Sequence, residues 1–138
     1  MLPGLRADAL TSTPGGFELR VGLPWIRSLP LAGLSGLRLA LDGQQVDPSI
    51  VLGDRRIPVD AVGSESDCWW YLQDRLVLAG DTDVRPCTVT VDFRMLVPYL
   101  SAGPGVPLVL PFHLEAELVP DQRVSPSVAG DVGTEVGR

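Results

Sequence analysis

Alternation with a period of two, interrupted repeatedly by glycine and proline, is what most limits the folds open to this chain. Phe17, Leu19, Val21 and Leu23 fall on one side of an extended segment, with Glu18, Arg20 and Gly22 on the other. That pattern describes a strand packed on a core by one face only. Cys87, Val89, Val91, Phe93, Met95 and Val97 repeat it against Thr88, Thr90, Asp92, Arg94 and Leu96. Leu110, Phe112, Leu114, Ala116 and Leu118 do the same against His113, Glu115 and Glu117. The 15 glycines and 13 prolines punctuate the chain every few residues, which argues against long helices and for short strands joined by tight turns. Asp42-Gly43, after the alternating Leu37, Leu39 and Leu41, is a hairpin signal. Gly53-Asp54 marks a second turn, between Ile50–Leu52 and Arg55–Val59.

A weakly signalled leading strand is expected between Leu5 and Leu10. The long strand from Cys87 is expected to end at Pro98-Tyr99, with Ser101 to Pro107 as a Gly/Pro loop. About seven to eight strands result, and the predicted fold is all-β: a single antiparallel β-sandwich, Ig-like or jelly-roll-like, with a small closed barrel as the alternative. The sandwich is expected over residues 1–119. Residues 120–138 are polar and glycine-rich without periodicity, and are expected to form a disordered C-terminal tail.

Two stretches depart from the alternation. Pro24 and Pro30 bracket Trp25, Ile26, Arg27, Ser28 and Leu29, a segment that cannot continue a central strand because proline brings no N–H to the ladder. Such a segment either plugs the end of the core or presents a contact surface, for which Trp and Arg are favoured residue types. Trp69-Trp70-Tyr71 is the densest aromatic cluster. Consecutive strand residues point to opposite faces, so at least one of these rings must leave the core.

The formal charge of -6 gives no electrostatic footprint for nucleic acid or an anionic membrane. All 11 basic residues are arginine, so a lysine Schiff base or general base is excluded. No secretory signal or membrane span is recognisable, and the expected location is the cytoplasm. There Cys68 and Cys87 are expected as free buried thiols rather than a disulfide.

Catalytic constellations are scarce. The single histidine, His113, lies in the outward register of the last strand beside Glu115, with no glycine-flanked serine elbow elsewhere. Cys68, Cys87 and His113 lack paired metal-ligand spacing. His113, Glu115 and Glu117 share a strand face, which suits solvated polar alternation better than a cation site. No pair among the 17 acidic residues is marked out for glycoside hydrolysis, and Gly103-Pro104-Gly105 reads as a turn, not a phosphate loop.

The order of features resembles the small β subunit of bacterial C-glycoside deglycosidases. The matching parts are Gly16-Phe17-Glu18-Leu19-Arg20-Val21 running into Leu23-Pro24-Trp25-Ile26-Arg27-Ser28-Leu29-Pro30-Leu31, then Leu37 to Val46, Trp69-Trp70, the Val89-to-Tyr99 strand and Pro107-Leu108-Val109-Leu110-Pro111-Phe112. The likeness spans roughly residues 16 to 119 and leaves the tail unmatched. It implies a two-component enzyme whose large α subunit resembles sugar-phosphate isomerases. That α subunit is a (β/α) barrel carrying a divalent metal, expected to be manganese, and the acid/base residues. The implied reaction cleaves the carbon–carbon bond of a 3-oxo C-glycoside by elimination, after a separate oxidoreductase has made the ketone.

On this reading the chain is an accessory β subunit in a heteromer, with no catalytic residue, metal or cofactor of its own. Trp25, Ile26, Arg27, Leu29 and Pro30 are expected at the partner interface or pocket rim. Trp69, Trp70 and Tyr71 are expected to contact sugar or aglycone. The alternative is a freestanding carbohydrate-binding or Ig-like interaction module.

Overall fold

The computed structural model describes residues 4–23, 25, 27–65, 68–71, 74–122 and 132. Among these, the strands are β1 (Leu10–Thr13), β2 (Gly16–Gly22), β3 (Leu29–Pro30), β4 (Leu34–Leu41), β5 (Gln44–Val46), β6 (Ser49–Leu52), β7 (Arg55–Pro58), β8 (Trp69–Trp70), β9 (Arg75–Gly80), β10 (Cys87–Gly103) and β11 (Val106–Leu118). Short 3-10 helices occupy Leu31–Gly33 and Val59–Ser64. A five-stranded sheet, β1-β2-β9-β6-β7, and a four-stranded sheet, β11-β10-β4-β5, form an all-β sandwich with only antiparallel pairs. The two sheets are open, not closed into a barrel. Strands β3 and β8 make a separate two-stranded ribbon.

The period-two faces are where the core forms. Phe17, Leu19, Val21 and Leu23 are all buried, as are Val89, Val91, Phe93, Met95 and Val97. Each large aliphatic or aromatic side chain so buried contributes on the order of 1.5–3 kcal/mol. The opposing register positions Leu110, Phe112, Leu114 and Ala116 are only partly buried, because β11 is the edge of its sheet. The Asp42-Gly43 hairpin forms as expected, with both residues at positive φ, 50° and 81°, the geometry of a tight turn matched to strand twist.

Two elements differ from the sequence expectation. The leading strand forms at Leu10–Thr13, not between Leu5 and Leu10. The turn ahead of β2, with Gly15 at φ 77°, sets Thr13 opposite Gly16 and so fixes which residues pair. More consequentially, β10 does not stop at Pro98-Tyr99. It continues to Gly103, turns through Pro104 and Gly105 (φ 71°), and returns as β11 from Val106. Pairing with β4 ends at Met95, opposite Leu34, so beyond that point β10 has β11 alone beside it. Irregularities between Val97 and Ser101 and between Ser101 and Gly103 absorb the prolines.

The expected tail mostly lies outside the described residues, as 123–131 and 133–138. Its described points are attached. The Asp121 amide donates to the Leu10 carbonyl at 2.9 Å, and the Asp121 carboxylate accepts from Ser12. Val132 is fully buried, its N–H donating to the Arg75 carbonyl at 2.9 Å.

Candidate partner-docking site

The two departures from alternation meet in space. Leu29 pairs with Trp70 and Pro30 with Trp69 across the β3–β8 ribbon, and the Leu31 amide donates to the Cys68 carbonyl at 2.9 Å. Both segments therefore cap the same end of the sandwich, beside the far half of β10. The Pro30-to-Gly33 turn fits tightly there, since a Cβ on Gly33 would come within 3.1 Å of Leu96.

Within this cap the expected contact residues divide. Leu29 and Trp70 are completely buried and belong to the core, so neither reaches a partner or a ligand in this state. Burial follows from the pairing: with Pro30 and Trp69 facing out, Leu29 and Trp70 must face in. The Trp70 indole N–H is satisfied by the Asp74 carbonyl at 3.3 Å, as a buried indole requires. Trp69 and Tyr71 remain exposed, at 42% each, and Arg27 is exposed while Trp25 is partly buried. Ile26 lies outside the described residues.

Trp25 is the hinge between interior and surface. Its indole N–H donates to the Tyr99 hydroxyl at 2.6 Å, and its ring meets Phe112 edge-on, with centroids 6.2 Å apart. Phe112 stacks on Phe93 at 5.2 Å, and Phe93 lies 5.6 Å from Trp70. On the outer side the Arg27 guanidinium sits 5.1 Å from the Tyr99 ring centroid, in cation–π range. A continuous run of aromatic contacts thus leads from the buried Trp70 to the exposed Tyr99 and Arg27. Within the segment, Leu29 belongs to the core, Trp25 is partly buried and Arg27 is exposed.

Tyr99, Phe93 and Phe112 complete this arrangement and were not among the expected site residues. Around Tyr99 the exposed apolar residues Leu100, Val106 and Val109 extend the surface along the β10–β11 hairpin. The available signal was the absence of any charged residue from Met95 to Phe112.

The remaining titratable groups are arranged differently. Asp92 is the cross-strand neighbour of both His113 and Arg38, and the exposed His113 ring is hydrogen-bonded to the Asp92 carboxylate. That hydrogen bond and charge hold the imidazole above its ordinary pKa. Cys68 and Cys87 are both free thiols but only partly buried, not fully buried as expected, and that partial burial raises their pKa. Among the described residues no group of three or more His, Cys, Asp or Glu could hold a metal ion. Among them, too, no helix is long and apolar enough to cross a membrane.

No family model matches the chain. Individual relatives do. The chain is 28% identical over 104 residues to a C-glycoside deglycosidase beta subunit of Arthrobacter globiformis, covering 70% of this chain and 79% of that one. It is 30% identical over 88 residues to a C-glycoside deglycosidase beta subunit of Microbacterium trichothecenolyticum, covering 59% and 67% respectively. A 3'-dehydrocarminate deglycosidase beta subunit of a Microbacterium species is 31% identical over 109 residues, with 73% of this chain and 80% of the relative covered.

Proposed function

This chain belongs to the family of C-glycoside deglycosidase β subunits, and on that premise we propose that it is the accessory, non-catalytic subunit of a heteromeric enzyme that cleaves 3-oxo C-glycosides. One observation carries the reading. The side chains assembled at the capped end of the sandwich are aromatic groups and an arginine, suited to recognition, while the lone histidine is tied to Asp92 on a sheet face. Chemistry then falls to a partner. In this proposal the α subunit is a sugar-isomerase-like (β/α) barrel holding a divalent metal, manganese by expectation. There the substrate ketone would acidify the neighbouring C–H, a divalent metal held by the α subunit would supply Lewis-acid polarisation of that carbonyl, and the α subunit's acid/base residues would take up the proton and return one to the departing aglycone carbon. Trp25, Arg27 and Pro30 face that partner or frame the mouth of its pocket. The free thiols Cys68 and Cys87 accord with the cytoplasm as the site of action.

The test is to express this chain and an isomerase-like α subunit separately and together, and to assay carbon–carbon cleavage of a 3-oxo C-glucoside. Turnover is expected only from the combination. Full turnover by this chain alone rejects the proposal.

A second reading has its own observation. Trp69, in β8, and Tyr71, just past its end, are equally exposed. Exposed rings of this kind can stack on a sugar or an aromatic aglycone. If they act as a freestanding carbohydrate-binding surface, simple sugars will quench tryptophan fluorescence of the isolated chain and no heteromer will form.

A further inference from the structure

We propose that the end of the β10–β11 hairpin beyond Val97, with Val109 on its outer face, is an arm that inserts into an uncharged apolar groove of the partner subunit. The inference rests on the subunit reading above and names the element that makes the assembly. It stands on three features of the arm.

The first is geometry. The four-stranded sheet loses β4 at Met95, while β10 and β11 pair with each other as far as Gly103 and Val106. A two-stranded ribbon is marginal in water by itself; here its root is packed through Val97, while the outer face beyond is left uncovered, so the ribbon is most stable when something packs on that face. The second is composition. From Met95 to Phe112 there is no charged residue, in a chain that is 20% charged and has a formal charge of -6. Tyr99, Leu100, Val106 and Val109 nevertheless stand 42–50% exposed along it. Charge depletion with exposed aromatic and aliphatic groups is the composition of an interface centre, not of an ordinary solvated hairpin.

The third feature says what kind of occupant it takes. Pro98, Pro107 and Pro111 lie on these strands and lack the N–H that a further strand would accept from. Edge-to-edge addition of a second copy is thereby blunted, and recognition must run through side chains. At the arm's root Trp25 donates to Tyr99 and Arg27 lies over the same ring, so the arm is braced against the aromatic cap. A different polypeptide with an apolar groove, the α subunit, fits these features. An anionic lipid surface does not suit a chain of this charge.

The experiment compares wild type with Leu100→Asp/Val109→Asp in binding to the α subunit, using Val119→Asp as an exposed apolar control off the arm. The double variant is expected to keep the wild-type circular dichroism spectrum and melting temperature within a few degrees, and to bind roughly 100-fold more weakly, as charge placed at an interface hot spot does. Val119→Asp is expected to bind as wild type does. Binding of the double variant within about threefold of wild type overturns the arm but leaves the subunit reading intact. So does equal weakening by Val119→Asp. Failure of wild type to bind any α subunit removes the subunit reading and the arm with it. A wild-type homodimer that the arm substitutions dissolve, or arm-dependent sedimentation with phosphatidylcholine vesicles, replaces the α subunit with those occupants and overturns the proposal.

Discussion

Trp69 and Trp70 are neighbours in the chain and opposites in the structure, one half exposed and one sealed in the core against Phe93. Trp70→Ala should cost about 3–5 kcal/mol, the usual penalty for emptying a large core site, whereas Trp69→Ala should stay within about 0.5 kcal/mol. Urea unfolding monitored by circular dichroism measures both. Equal costs would mean that the β3–β8 pairing is wrong. Trp25 and Arg27 occupy the middle ground. Trp25→Ala/Arg27→Ala should leave the sandwich folded while weakening heteromer assembly, checked by melting temperature and size exclusion with the α subunit; unfolding instead would make Trp25 chiefly a core plug. For His113 the prediction concerns pH. Its pKa is raised above about 6.5 by the Asp92 hydrogen bond and charge, so the protonated ring is the favoured partner in the folded state. Its contribution is fully present below the unfolded pKa and is lost as pH rises through the folded one. An NMR titration should show a raised His113 midpoint that falls in Asp92→Asn.

At the level of elements, the legible parts are those where residue pattern and punctuation agree. β2 and the inner half of β10 keep a strict period of two, and Asp42-Gly43 supplies the positive-φ residues its turn requires. The aromatic cap and the arm are less legible for physical reasons. Pro98, Gly103, Pro104 and Pro107 together signal a loop, yet prolines are tolerated on a ribbon with open edges, and only the missing β4 neighbour reveals that it is one. Likewise, no local rule pairs Leu29 with Trp70 across such a sequence separation, and that pairing decides which residues of each segment face out. Close approach between β2 and β9 gives a sharp test at this scale. A Cβ on Gly16 would lie 2.0 Å from the Gly80 carbonyl oxygen, whereas one on Gly103 meets nothing within 4 Å. Gly16→Ala should therefore destabilise the domain by about 1–3 kcal/mol through overpacking, while Gly103→Ala should be neutral or slightly stabilising. Denaturant midpoints of the two variants distinguish these outcomes.

For the molecule as a whole, one core joins the two sheets, from Leu10 on β1 to Leu118 on β11, and most of the large apolar residues left exposed lie at the capped end and on the arm. That asymmetry has a thermodynamic consequence. A partner that binds only the folded chain stabilises it by mass action, by about 2.7 kcal/mol when present at 100 times its dissociation constant. The isolated chain should therefore melt in a single transition at a temperature independent of its own concentration. In the presence of the α subunit that transition should rise, and rise further as the α subunit is increased. The gain should depend on residues at the capped end, Trp25, Arg27 and the arm, and be indifferent to substitutions on the Asp92–His113 face. Differential scanning calorimetry across a partner titration reads this directly. A melting temperature that climbs with the chain's own concentration would point to self-association instead. One unmoved by the α subunit would mean that the exposed aromatic end serves a ligand, with Trp69 and Tyr71 as the rings to probe.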